Sequence, residues 1–119
     1  MHKLFQIETA ARKVRRKYAR AKKRLSKTAQ ALLEFVESEC RGGHYIKPPL
    51  IPTYAPDDWI CCAGWGRQAV KEIYDLEIRR RTFFSDVAIN IAEAMYSYDG
   101  CEYIALNKLF VKYIICGRR

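Results

Sequence analysis

The sequence predicts a mainly α protein: a small single-domain helical bundle organised on one long basic N-terminal helix, with a Pro-rich extended connector. Three observations predict it. From His2 to Arg41 there is no Gly or Pro, and apolar residues recur at steps of three and four. All four prolines lie between Pro48 and Pro56, which confines the extended chain to one stretch. Two later segments, 67–81 and 83–98, again carry apolar residues at helical spacing. With 119 residues, half of them hydrophobic, the chain is long enough for one core and too short for two. We therefore read 1–119 as one domain, with a long basic helix over 3–41, a Gly/Pro-rich connector over 42–58 and a helical core over 59–119.

In the first segment Leu4, Ile7, Ala11, Val14, Tyr18, Ala21, Leu25, Thr28, Leu32 and Phe35 form a heptad seam. Its large members Ile7, Val14, Tyr18, Leu25 and Leu32 are expected to pack on the bundle formed by 67–116. Residues 1–27 hold eleven Lys or Arg against one acid, Glu8, whereas residues 28–119 hold eleven against twelve acids. The whole net charge of +9 thus sits in one segment, and charge segregated in this way makes a local field that attracts a polyanion. The same helix turns acidic at Glu34, Glu37 and Glu39, the reverse of what its dipole favours. Tertiary or partner contacts must have selected that order. Gly42 and Gly43 supply the stop, one of them in the left-handed conformation.

The connector HYIKPPLIPTYAPDD holds Tyr45, Ile46, Leu50, Ile51 and Tyr54, too many apolar residues for a free linker, so it is expected to lie as a strap along the helices. It lacks the flanking charges of a proline-rich ligand for an aromatic groove. Asp57 and Asp58 are suited to cap a helix starting near Trp59. Trp59 and Trp65 are expected to anchor the core; the alternative is a platform on which bases stack. Gly64 and Gly66 do not make a GxGxxG phosphate loop, because no third Gly follows.

The 67–81 segment reads as a helix ending in Arg79, Arg80 and Arg81, and the next, capped by Thr82 or Ser85, steps through Phe84, Ala88, Ile91, Met95 and Tyr98 to a stop at Asp99 and Gly100. As a helix-turn-helix pair, its reading face would be Asp86, Asn90, Glu93 and Ser97, with two acids and no base; core is the better reading. Residues 101–116 read as a helix, with a short C-terminal β-hairpin turning at Asn107-Lys108 as the alternative.

Five cysteines, Cys40, Cys61, Cys62, Cys101 and Cys116, are an odd number at irregular spacing, which fits no disulfide framework. Cys40 and His44, four apart across a Gly-Gly turn, would be half of a zinc site completed by Cys61, Cys62 or Cys101. A vicinal pair rarely places both thiols on one metal, and buried reduced thiols are the expectation; no metal or other cofactor is expected. Enzymatic activity is not expected either. There are only two histidines, His2 and His44, no nucleophile has an identifiable base, and Tyr96 and Tyr98 lack a supporting cationic or metal set. Apolar runs are too short to span a bilayer and no secretory h-region is present, so a cytoplasmic location is expected. Membrane binding is not expected, since Ala11, Ala21 and Thr28 stand where insertion would need large apolar residues.

Two functions remain. The first is a nucleic-acid-binding module, for DNA or RNA, whose helix lies along the phosphate backbone. Arg12, Arg16, Arg20, Lys23 and Lys27 lie opposite the seam and are the expected contacts. Arg15, Lys22 and Arg24, with Lys17, flank the seam, and are candidates either for the same contacts or for ties to acids of the body. The second is a small regulator or inhibitor that docks the helix into an acidic groove of a protein or ribonucleoprotein. A seam of this kind also suits a homodimer.

Overall fold

The Gly- and Pro-free segment does not run as one helix. In the computed structural model, which describes residues 2–81 and 86–117, and their side chains except those at 2–10, 80, 81, 86 and 87, it divides into α1 (His2–Lys23) and α2 (Lys27–Gly42). The last turn of α1 tightens, with Arg24 N–H bonding the Ala21 carbonyl at 3.1 Å and Leu25 N–H bonding that of Lys22 at 3.2 Å. Ser26 then caps α2, its Oγ accepting from Ala29 N–H at 3.2 Å. The joint is held from outside. Glu72 accepts the Ser26 N–H at 3.0 Å and its hydroxyl at 2.7 Å, taking the part that a Glu in the first turn plays in a capping box. Gln30 Nε2 donates to the Leu25 carbonyl of the joint at 2.8 Å and, at 3.5 Å, to that of Lys23, an orphan acceptor at the end of α1.

The break rotates the buried face. Ala11, Val14 and Tyr18 are buried on α1, but on α2 the buried set is Ala29, Leu32, Leu33, Val36 and Cys40, and Thr28 of the expected seam is exposed. Ile7 and Leu4 lie outside the residues whose side chains are described. α2 ends in a Schellman motif: Gly43 at φ 69°, its N–H on the Cys40 carbonyl, and His44 N–H on the Glu39 carbonyl at 2.9 Å.

Beyond the connector the fold departs from a helical bundle. The molecule is 45% helix and 21% strand, an α/β mixture rather than a mainly α protein. β1 (Ile60–Cys61) is followed by α3 (Arg67–Tyr74), β2 (Glu77–Arg81), β3 (Asp86–Asn90), β4 (Ala92–Tyr98) and β5 (Cys101–Leu106). β1, β5 and β4 form a three-stranded antiparallel sheet in that order, and β2 and β3 form a separate antiparallel ribbon. The core over 59–119 is thus mixed, and α3 stops at Tyr74, so that Arg79, Arg80 and Arg81 lie on a strand. The expected helix over 83–98 is two strands, which also removes the helix-turn-helix. Its proposed caps Thr82 and Ser85, and Phe84, lie outside the described residues.

The reasons are local. Ile78 pairs with Ile89 across the ribbon, and β-branched residues at 87, 89 and 91 suit a pleated surface better than a helix. Ile91 hinges ribbon to sheet: its N–H reaches the Leu76 carbonyl at 3.3 Å and its carbonyl accepts Asn107 N–H at 2.8 Å. Asp99 at φ 50° and Gly100 at φ 77° make the two-residue turn between β4 and β5, the Asp-Gly signature of a type I′ hairpin. The hairpin therefore exists, but upstream of Asn107-Lys108. Asn107 is instead a helix cap, its Oδ1 accepting from Leu109 and Phe110 N–H at 3.0 and 3.2 Å. It opens α4 (Lys108–Phe110), which continues as a π-helical segment (Val111–Ile115). Residues 101–116 are thus half strand and half helix.

α1, α2 and α3 pack with this C-terminal helix and the sheet around Leu32, Leu33, Val36, Val70, Ile73, Ile91 and Ile104, all fully buried. The phenyl ring of Phe110 meets Tyr18 edge-on at 4.8 Å. Trp59 is buried, its indole N–H on the Pro56 carbonyl and its ring on Tyr96, while Trp65 packs on Phe35 at 5.7 Å. The two tryptophans serve separate parts of the core. The strap lies against both sheet and helices: Ile46 N–H bonds the Trp59 carbonyl and the Tyr96 hydroxyl the Pro49 carbonyl, both at 2.9 Å, while the Tyr45 hydroxyl donates to the Cys40 carbonyl of α2 at 3.5 Å and Asp58 meets Lys108 of α4 at 3.9 Å. Leu50 and Tyr54 project from it, 81% and 90% exposed.

Candidate nucleic-acid interface

α1 carries its cations in two populations. Arg12, Arg16, Arg20 and Lys23 are exposed, and their side chains have no hydrogen bond or ion pair to any described residue. Their spacing of four, four and three aligns them along one side of the helix. Lys27 is equally exposed, but it belongs to the first turn of α2, beyond the break, and helical spacing does not extend the stripe to it. A cation there is also disfavoured by the dipole of α2, whereas Arg20 and Lys23 in the last turn of α1 are favoured by the dipole of α1.

The second population is tied to the body. Arg15 donates to the Tyr113 carbonyl at 3.1 Å, and Lys17 to the Arg79 carbonyl at 2.8 Å. Lys22 pairs with Glu37 at 3.0 Å and lies 4.6 Å from the centre of the Tyr18 ring. Glu37 is the one buried charged residue among those described. Its carboxylate accepts from the Tyr18 hydroxyl at 2.9 Å, from Lys22, and from Arg41 at 3.4 Å, while Arg41 also reaches the Ile115 carbonyl. Burial and the facing carboxylate hold the Tyr18 phenol far above its ordinary pKa, so it stays a donor. Two of the three acids at the end of the first segment are explained by these contacts: Glu37 bridges α1 and α2, and Glu39 meets the His44 ring at 3.0 Å.

Arg24 is exposed, its side chain without a partner among the described residues, and it belongs to a feature that sequence reasoning missed. Lys17, Arg20, Ala21 and Arg24 present one face of α1 to β2, and with Glu77, Ile78 and Arg79 they line a cleft of about 350 Å³. Arg79 pairs with Glu77 at 3.5 Å. No sequence signal joined Arg79 to α1, because the residues 77–81 read as helix.

On the other flank of α1 is an open apolar groove of about 550 Å³, whose walls include Ala11, Val14, Ala88, Ile89, Phe110 and Tyr113. Lys112 lies 5.3 Å from the Tyr113 ring.

The thiols sit elsewhere. Cys40 is buried, which pushes its thiol up to about 11, and burial pushes Cys62 up to about 12. Cys61 and Cys101 face one another across β1 and β5 with sulfurs 3.4 Å apart. His44 is turned toward Glu39, and among the described residues no group of three or more His, Cys, Asp or Glu is arranged to hold a metal. Cys40 and His44 are thus not brought together with a second pair. Among those residues no helix is long and apolar enough to cross a membrane. What α1 offers chemically is an array of N–H donors with fixed positive charge, suited to anionic oxygens.

Comparison with protein-family models, curated proteins and solved structures finds no match.

Proposed function

We propose that this chain is a non-enzymatic nucleic-acid-binding protein that contacts the phosphate backbone through the outward face of α1. One observation carries the reading: the side chains of Arg12, Arg16, Arg20 and Lys23 stand exposed in a row with no partner among the described residues, while those of Arg15, Lys17 and Lys22 on the same helix are bonded to the body. Charges that only kept the protein soluble would not need to be segregated from the eleven bases and twelve acids of residues 28–119. Backbone contact by such a row gives affinity with little base readout.

The test is binding to duplex DNA, duplex RNA and single strands across a salt series. Four phosphate contacts give a log–log slope of about −3 to −4 on duplex DNA. Weak, salt-independent binding to all of them contradicts the proposal.

A second reading is favoured by the apolar groove beside α1. A regulator that docks on an acidic protein surface would use the cations for steering and the groove for anchoring. It predicts loss of binding at one or two groove positions such as Tyr113, where the nucleic-acid reading predicts losses graded along the stripe.

A further inference from the structure

We infer that the cleft between α1 and β2 is a phosphate subsite, which receives one phosphodiester of a strand whose neighbouring phosphates lie on the α1 stripe. The inference rests on the nucleic-acid reading and adds to it a path: the strand crosses α1 toward the β2–β3 ribbon, not toward α2.

The cleft is built by two periodicities. On α1, positions 17, 20, 21 and 24 recur at three, one and three and so share one helical face. On β2 the alternation sends Ile78 into the core, where it is 2% exposed, and leaves Glu77 and Arg79 on the outer side. Lys17 fastens the two elements through the Arg79 carbonyl at 2.8 Å. That bond uses one of three ammonium protons and leaves two to point at a ligand. The Arg20 and Arg24 side chains make no bond to a described residue, and each offers a planar fork matched to phosphate oxygens. The lining holds four cations, Lys17, Arg20, Arg24 and Arg79, against one acid, Glu77, a charge excess placed in a concavity, where field lines concentrate. Arg20 belongs to the stripe as well as to the cleft, and this shared residue makes the two surfaces continuous. Glu77 opposes an anion, and sets the sign of one unusual expectation: its neutralisation strengthens binding.

The probe is inorganic pyrophosphate, titrated into the full chain at low salt and followed by amide NMR, with nucleic acid titrated in parallel. Saturable shifts confined to residues around 17–24 and 77–79 are expected. Arg24→Gln should weaken pyrophosphate at least fivefold, Glu77→Gln should tighten it severalfold, and Arg12→Gln should leave it within twofold. All three residues are exposed, and the amide spectrum reports in each case whether the fold is intact. No saturable shift in the cleft, or equal losses for Arg24→Gln and Arg12→Gln, overturns the subsite even if nucleic acid binds. Pyrophosphate binding without nucleic-acid binding leaves the subsite standing and removes the functional reading. Should polyglutamate shift the same signals at lower concentration than pyrophosphate, the cleft is a carboxylate acceptor for an acidic protein, and the phosphate assignment is wrong.

Discussion

The two sides of α1 have the same residue types and opposite energetic roles. Toward the body, Lys22 meets a buried carboxylate and an aromatic ring, and Arg15 and Lys17 close onto backbone carbonyls. Away from it, Arg12, Arg16, Arg20 and Lys23 meet only solvent among the described residues. The contrast teaches that cation content alone does not locate a binding face. A cation with an internal partner contributes to folding and has fewer donors left for a ligand; one without a partner contributes nothing to folding and keeps all of them for another molecule.

The sharpest way to break this comparison is to reverse charge on each side. Arg16→Glu with Lys23→Glu should weaken nucleic-acid binding by a hundredfold or more, roughly 2.8 kcal/mol at a factor of ten per 1.4 kcal/mol, with the thermal midpoint nearly unchanged. Lys17→Glu with Arg24→Glu should lower the midpoint as well, since Lys17 holds β2. Calorimetry of the two double variants separates the outcomes.

Within the body-facing side, Lys22→Met removes a cation from the buried Glu37 and should cost about 1–3 kcal/mol in denaturant unfolding, the range for a buried group left short of a partner. Nucleic-acid affinity should change far less than in Arg16→Glu with Lys23→Glu. Ser26→Ala tests the break that gives α1 its own C-terminus. It removes the cap and the hydroxyl bond to Glu72, and should cost about 1 kcal/mol.

The smallest effect is in pH. The hydroxyl and N–H of Ser26 hold the Glu72 carboxyl below its usual range. A carboxyl depressed in the folded state adds stability above its unfolded pKa and loses it as pH falls through the folded value. The midpoint difference between wild type and Glu72→Gln should therefore be present at neutral pH and shrink to nothing below the carboxylate range.

How much of this was legible in the sequence varied with the kind of signal. The division of Arg12, Arg16, Arg20 and Lys23 from Arg15, Lys17 and Lys22 followed from spacing relative to Val14, Tyr18 and Ala21, because that part of the segment is a regular helix; the same spacing misplaced Arg24, whose side chain is exposed, and Lys27, which lies beyond the break. The break at Arg24 to Ser26 was hidden because Ser26 is not a helix breaker, and the acid that fixes it, Glu72, is 46 residues away. The strands were misread where Glu, Arg and Ala favour helix by local preference, and pairing across the ribbon and sheet overrode it. One missed element had a local signal: Asp99-Gly100 between Tyr98 and Cys101 is a hairpin turn by its residues alone. The cleft had none, since Arg79 meets α1 only after β2 has formed.

The most direct measurement of the central claim is the salt dependence of duplex binding for wild type beside Arg16→Glu with Lys23→Glu. If the outward stripe holds phosphates, the wild-type slope is about −3 to −4 and the variant's is shallower by about 2, near −0.9 for each contact removed. Equal slopes for the two proteins would mean that the stripe is solvated surface, and the functional reading of α1 would be contradicted.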